Sequence, residues 1–169
     1  MEANIVIKGD SALAQAIRRW WGGLEQDRAS RAMLRRCATL DEVVLSPAYQ
    51  RFYRYMLACG WPAEAANWQN DRLAAIAGLA AWIKTDTEAS LPFQMSESVG
   101  ERPAVSELRF RALLKLETTE ELFGSLRRVL PMVGHHASLI QLANDVYWWN
   151  DATRKRWAYD YRWPAKAAA

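Results

Sequence analysis

Apolar residues recur at every third or fourth position along most of the chain, which is the spacing of one face of an α-helix. Helix signals frame these segments. Ser46 and Pro47 place an N-cap before a proline at the first helical position. Thr118 and Glu121 have the spacing of a capping box. Alternation with a period of two residues is limited to NIVIK at 4–8. The pattern therefore predicts an all-α protein.

The longest apolar stretch is LAAIAGLAAWI at 73–83, which predicts a central, buried helix because it is apolar on nearly all sides. Gly78 within it is expected to permit close contact between helices. The segment 85–104 is polar and contains two prolines, so it predicts a long loop. We expect this polar loop to divide the chain into two small packed helical lobes, 1–84 and 105–169, that form a bundle.

Composition fits an ordinary soluble protein, since 51% of the 169 residues are hydrophobic and can build a sizeable core. The apolar stretch is well short of the roughly 20 residues that span a bilayer, and no charged-then-apolar leader is evident at the start. Cys37 and Cys59 lack CxxC spacing and suit a reducing compartment. These observations predict a cytoplasmic protein without a membrane partner.

Charge is small in total and uneven along the chain. The net charge is +3, but residues 18–54 hold eight arginines against four acidic residues, and 151–166 hold five basic residues against two acidic ones. Residues 86–121 hold eight acidic residues against four basic ones. Of the 22 basic residues 17 are arginine, whose planar guanidinium suits bidentate contacts with phosphate.

The predicted helix at 25–37 carries four arginines, and three of them lie on one side. Arg28, Arg31 and Arg35 share a face at about 100° per residue, and Arg36 lies at its border. This concentration of arginines on one face indicates an anionic partner. A solvated surface face is an equally good explanation of the pattern. Further basic faces occur in the predicted helices of the second half of the chain. Arg109 differs from the other arginines because it falls among apolar positions of its helix. An internal ion pair with a nearby glutamate is the alternative to nucleic-acid binding for Arg109.

Combinations of residues that perform catalysis are missing from the sequence. His135 and His136 are adjacent in a predicted loop, with no second pair of metal ligands in reach. Neither a glycine-rich phosphate loop nor a nucleophile elbow is present. The sequence therefore offers no catalytic residues, no metal site and no cofactor to propose.

Nine tryptophans are a large number for this length. They indicate either base stacking or helix packing. Packing is the preferred interpretation for Trp82, Trp148 and Trp149, which have apolar neighbours. Trp20, Trp21 and Trp163 stay open between the two interpretations.

The order of several elements resembles a known family, CasB, which is the small subunit of the type I-E CRISPR surveillance complex Cascade. The elements are WWGGL, RAMLRRC, LDEVVLSPAYQRFYRYM, GW, SELRFRALLKLETTEELFGSLRRVLPMV and WWNDATRKRWAYDYRW, over roughly 13–163. The whole succession carries the resemblance, since no single element is diagnostic.

The resemblance implies a non-catalytic all-α protein of two lobes, of which two copies pack head to tail in Cascade. Its partners would be the backbone, crRNA-end and large subunits with crRNA, a second copy of itself, and the single-stranded and R-loop DNA. Basic side chains of the family hold the target and displaced strands of the R-loop in antiviral defence. The residues predicted to bind nucleic acid are Arg28, Arg31, Arg35, Arg36, Arg109, Arg111, Lys115, Arg127, Arg128, Arg154, Lys155 and Arg156.

Within this set, we expect Arg31, Arg35, Arg36, Arg127 and Arg128 to supply most of the binding. Four contacts with single-stranded DNA would give a log–log salt slope of roughly −3. The competing hypothesis is a helical structural adaptor that binds acidic protein partners without direct contact with nucleic acid.

Overall fold

A computed structural model describes residues 4–166, which form an all-α bundle as predicted. The helices are α1 (Ala12–Gly23), α2 (Arg28–Arg36), α3 (Leu40–Val44), α4 (Pro47–Ala58), α5 (Asn67–Ala80), α6 (Leu91–Ser96), α7 (Glu107–Leu114), α8 (Thr119–Met132), α9 (Leu139–Tyr147) and α10 (Asp151–Asp160). Four two-residue strands accompany them: β1 (Thr85–Asp86), β2 (Ser98–Val99), β3 (Arg102–Pro103) and β4 (His136–Ala137). β1 pairs with β4 in parallel, and β2 pairs with β3 antiparallel.

Side-chain caps start most of the helices, because the first backbone N–H groups of a helix lack partners within it. Ser46 Oγ accepts a hydrogen bond from Tyr49 N at 3.1 Å, and Pro47 follows as the first residue of α4. Thr118 Oγ1 accepts from Glu121 N at 3.1 Å at the start of α8. Both predicted helix starts are confirmed.

The core is organised around α5, which packs against α3, α8 and α9. Every residue from Leu73 to Ala80 is buried, which confirms the predicted central helix. Gly78 lies against α8, where a Cβ atom added to it would sit 2.7 Å from a ring carbon of Phe123. The predicted close contact between helices is therefore present at this glycine.

The segment 85–104, predicted as a polar loop, contains helix α6 and three of the short strands. Leu91 and Met95 of α6 are buried, and Ser90 Oγ caps the helix by accepting from Phe93 N. One cluster of buried residues includes side chains from before and after this segment. The division into two lobes, 1–84 and 105–169, stays a prediction.

The candidate strand at 4–8 forms no strand in the part that the structure describes. Ile5 and Ile7 are buried and Val6 is exposed, so the alternation marks a packed extended segment without a partner strand among the described residues. Among residues 4–166, no helix is long and apolar enough to span a bilayer.

Candidate nucleic-acid interface

Helix α2 carries four arginines that differ in their exposure to solvent. Asp27 Oδ1 caps the helix by accepting from Ser30 N at 3.1 Å, and Leu34 is fully buried. Arg28 and Arg36 are exposed, whereas Arg31 and Arg35 are partly buried. The helix is therefore amphipathic, with arginines on its outer side and at the edge of the core.

Trp82, in the turn after α5, brings arginines of α2 and α8 together. The guanidinium carbon of Arg35 lies 4.4 Å from the centroid of the Trp82 ring, and that of Arg127 lies 5.4 Å from it. Arg127 Nη2 donates a hydrogen bond of 2.8 Å to the backbone carbonyl of Arg35. Carbonyls in the last turn of a helix lack partners within it, and a cation at that end is favourable. Arg127 thus attaches α8 to the end of α2.

His135 supports Trp82 from within the same cluster. Its ring is nearly parallel to the Trp82 ring, with centroids 6.1 Å apart, and His135 Nδ1 lies 2.9 Å from the backbone carbonyl of Trp82. The backbone of His135 has a positive φ of 65°. Packing was predicted for Trp82, and no role was assigned to His135. The contacts of His135 join residues 53 positions apart in the chain, so no local pattern could have predicted them.

Two of the twelve predicted residues take part in ion pairs. Arg156 pairs with Asp145, which also accepts a hydrogen bond of 2.8 Å from Trp157 Nε1. Arg154 pairs with Asp151 at 3.2 Å and donates to the backbone carbonyl of Leu116 at 2.8 Å. These two guanidinium groups hold α10 against its neighbours.

Asp145 is a buried carboxyl group with only 2% of its surface exposed. Burial raises its pKa, and the hydrogen bonds from Arg156 and Trp157 oppose that rise because they favour the ionised form. A buried carboxylate depends on such donors, so Arg156 is part of the fold at this point.

The other ten predicted residues form no ion pair within residues 4–166. Arg109 is exposed and its Nη1 lies 3.6 Å from Met132 Sδ, so the internal ion pair considered for it is not formed there. Arg109 and Arg128 line one groove of about 530 Å³ between α7 and α8, with Glu121 on its wall. The structure thus brings these two arginines to one cleft.

The three remaining cations of the set, Arg111, Lys115 and Lys155, are all exposed. The nearby glutamates Glu117, Glu120 and Glu121 form no ion pair with these arginines within residues 4–166. Glu120 accepts hydrogen bonds from Leu40 N at 3.1 and 3.4 Å. Within the described part of the chain, no group of three or more His, Cys, Asp or Glu side chains could hold a metal ion.

These observations define a class of protein: an all-α bundle whose surface carries many arginines that have no acidic partner among residues 4–166. A family model described as CRISPR-associated protein Cse2 matches residues 30–161, and the chain belongs to this family. The resemblance to CasB of type I-E Cascade is thereby confirmed.

Comparison with solved structures supports the same fold. A chain in the crystal structure of E. coli Cascade bound to a PAM-containing double-stranded DNA target matches with a TM-score of 0.66. The match covers 88% of this chain and 95% of that chain, at 24% sequence identity. No match was found among curated proteins.

Proposed function

We propose that this chain is the non-catalytic, nucleic-acid-binding small subunit of a cytoplasmic Cascade complex, and that it holds the target and displaced DNA strands during R-loop formation. One observation carries the proposal. Ten of the twelve predicted cations form no ion pair within residues 4–166. A surface of unpaired guanidinium groups is suited to a polyanion, and phosphate oxygens match their donor geometry.

The physical need for such a surface lies in the energetics of strand exchange. The heteroduplex that a guide RNA forms is about as stable as the DNA duplex that it replaces, so protein contacts with the backbone tip the balance. Arginines that neutralise phosphates release condensed counterions, and this contribution is independent of sequence. A non-specific cationic surface therefore suffices for the role.

The family and the structural match support a set of proposed partners. The matched chain comes from Cascade bound to double-stranded DNA. We infer that this chain contacts the backbone, crRNA-end and large subunits with crRNA, as well as a second copy of itself. These assignments are part of the proposal.

The test uses reconstituted Cascade that contains a triple variant of this chain, Arg28→Ala, Arg36→Ala and Arg128→Ala. All three side chains are exposed, so their loss changes the surface charge without removing buried contacts. Loss of three phosphate contacts should lower the magnitude of the log–log salt slope by about 2 for single-stranded DNA and shorten the lifetime of the R-loop.

A charge-matched control is available in the triple variant Arg51→Ala, Arg54→Ala and Arg102→Ala. These side chains are also exposed and lie outside the predicted set. The proposal requires a smaller effect from this control. If the first variant weakened the assembly of Cascade but left the salt slope and R-loop lifetime unchanged, the chain would instead be an adaptor for acidic protein partners.

A further inference from the structure

Three buried side-chain N–H groups within residues 4–166 have no hydrogen-bond partner. They are Nε of Arg31, Nε1 of Trp82 and Nε of Arg127. Buried donors are nearly always paired in folded proteins, so each exception requires a physical explanation. Arg127 and Trp82 belong to one cluster, and Arg31 lies one turn before Arg35 on the same side of α2.

The cluster also concentrates positive charge. Arg35 and Arg127 lie 4.4 and 5.4 Å from the centroid of a single indole ring. Neither arginine forms an ion pair with a carboxylate of the described chain. The π face of an indole attracts cations but does not neutralise them. Two neighbouring guanidinium groups repel each other, and an anion between them would remove that repulsion.

The two guanidinium groups are held in place before any anion binds. Arg127 is anchored by its hydrogen bond to the carbonyl of Arg35, and Arg35 stacks on the Trp82 ring. The ring is supported by His135, which also contacts the backbone carbonyl of Trp82. A guanidinium that stacks on a ring keeps its N–H edges available, and fixing it beforehand lowers the entropic cost of binding.

We propose that Arg35 and Arg127, positioned on Trp82, form one phosphate-binding site that takes a phosphodiester group of a nucleic-acid strand. Trp82 is a positioning residue in this site. The identity of the strand rests on the proposed function. The inference separates Arg35 and Arg127 from Arg36 and Arg128, which are exposed and have no stacking partner among the described residues.

Lysine substitutions test this site because they keep the charge and remove the planar fork. Arg35→Lys is the main variant, because among residues 4–166 the Arg35 side chain stacks on the ring but forms no hydrogen bond or ion pair. The backbone carbonyl that anchors Arg127 is retained in this variant. Arg54→Lys, at an exposed position outside the predicted set, is the matched control. The affinity of reconstituted Cascade for a thymidine oligonucleotide should fall about tenfold in Arg35→Lys, as for the loss of one charge-assisted hydrogen bond. It should change less than about twofold in Arg54→Lys, which keeps the charge at an exposed position.

Trp82→Leu provides a second variant that retains every charge. We expect it to weaken oligonucleotide binding by a factor similar to that of Arg35→Lys, with an unchanged salt slope. Thermal melting of each variant establishes that the chain is folded. If Arg35→Lys and Arg54→Lys bound equally well, only the total charge would count and the site would be refuted.

A second arm separates a strand phosphate from a free anion. Inorganic phosphate, compared with chloride at constant ionic strength, should raise the melting temperature of the wild-type chain more than that of Arg35→Lys. If phosphate stabilised the wild-type chain more than Arg35→Lys but Arg35→Lys kept its affinity for the oligonucleotide, the site would bind a free anion and not a strand. The alanine variants of the exposed arginines would then still test the proposed function separately. Absence of both effects would refute the site, whatever the alanine variants of Arg28, Arg36 and Arg128 show.

Discussion

Replacing Arg156 by methionine should destabilise the fold rather than weaken DNA binding, although the sequence placed Arg156 among the nucleic-acid-binding residues. The Arg156 guanidinium donates two hydrogen bonds to Asp145, one of them 3.2 Å long from Nη1. Asp145 is 2% exposed. Methionine keeps the length of the side chain and removes the charge, so the carboxyl group would lose its cation while remaining buried.

The magnitude follows from the burial of the two partners. Removing one member of a fully buried ion pair costs about 3–5 kcal/mol, because an unpaired charge is left in the interior. Asp145 is buried, but the Arg156 side chain is 40% exposed, and solvent screens its charge. A cost of about 2 kcal/mol is therefore expected, which corresponds to a fall in Tm of about 4–8 °C for a chain of this length.

The loss should also depend on pH. Burial raises the pKa of Asp145 above its ordinary value of 3.8, and removing the Arg156 donors would raise it further. A raised native pKa means that the folded chain binds the proton more tightly than the unfolded chain. Stability therefore falls as the pH rises from 3.8 through the raised value. The deficit of the variant should be larger at neutral pH than in mild acid.

Thermal and urea unfolding of Arg156→Met at two pH values measures both effects. Lys155→Met is the matched control, because Lys155 is the neighbouring residue of α10, is exposed and forms no ion pair in the described structure. The reasoning would be refuted if the two variants melted alike. It would also fail if Arg156→Met reduced R-loop affinity more than Lys155→Met did.

Three further outcomes follow from the packing. Gly78→Ala should lower the free energy of unfolding by about 1–3 kcal/mol in urea, because the new methyl group would meet the Phe123 ring at 2.7 Å. Tyr161→Phe should cost about 1 kcal/mol in the same assay, since its buried hydroxyl donates a hydrogen bond of 2.7 Å to a backbone carbonyl. Burial raises the pKa of the Cys37 thiol, so Cys37 should be alkylated more slowly than the half-buried Cys59 in the native chain, with the difference lost in urea.

Features that depend on neighbouring residues were predictable from the sequence. Ser46 with Pro47, and Thr118 with Glu121, mark helix starts that the structure confirms, because a cap acts within one turn. The burial of residues 73–80 in α5 was equally predictable, since this stretch is apolar on all sides. The all-α class followed from such local signals.

Features that depend on distant partners were not predictable in this way. Helix α6 lies in a polar segment, but Leu91 and Met95 anchor it through burial against other parts of the chain. Arg154 and Lys155 look alike in the sequence. The structure gives Arg154 a hydrogen bond to a backbone carbonyl 38 residues away, and it leaves Lys155 exposed.

The cations of the candidate interface therefore fall into three physical groups, and each group requires its own test. Arg154 and Arg156 already bind groups of the chain, so their loss affects stability first. Exposed cations such as Arg36 and Arg128 can be changed to alanine, and the salt slope then reports the phosphates that they neutralise. Arg127 belongs to neither group, because alanine there removes a charge and also the hydrogen bond that joins α8 to α2. A loss of affinity in Arg127→Ala would not by itself identify a contact with DNA, whereas a loss in a variant that keeps both the charge and that hydrogen bond would.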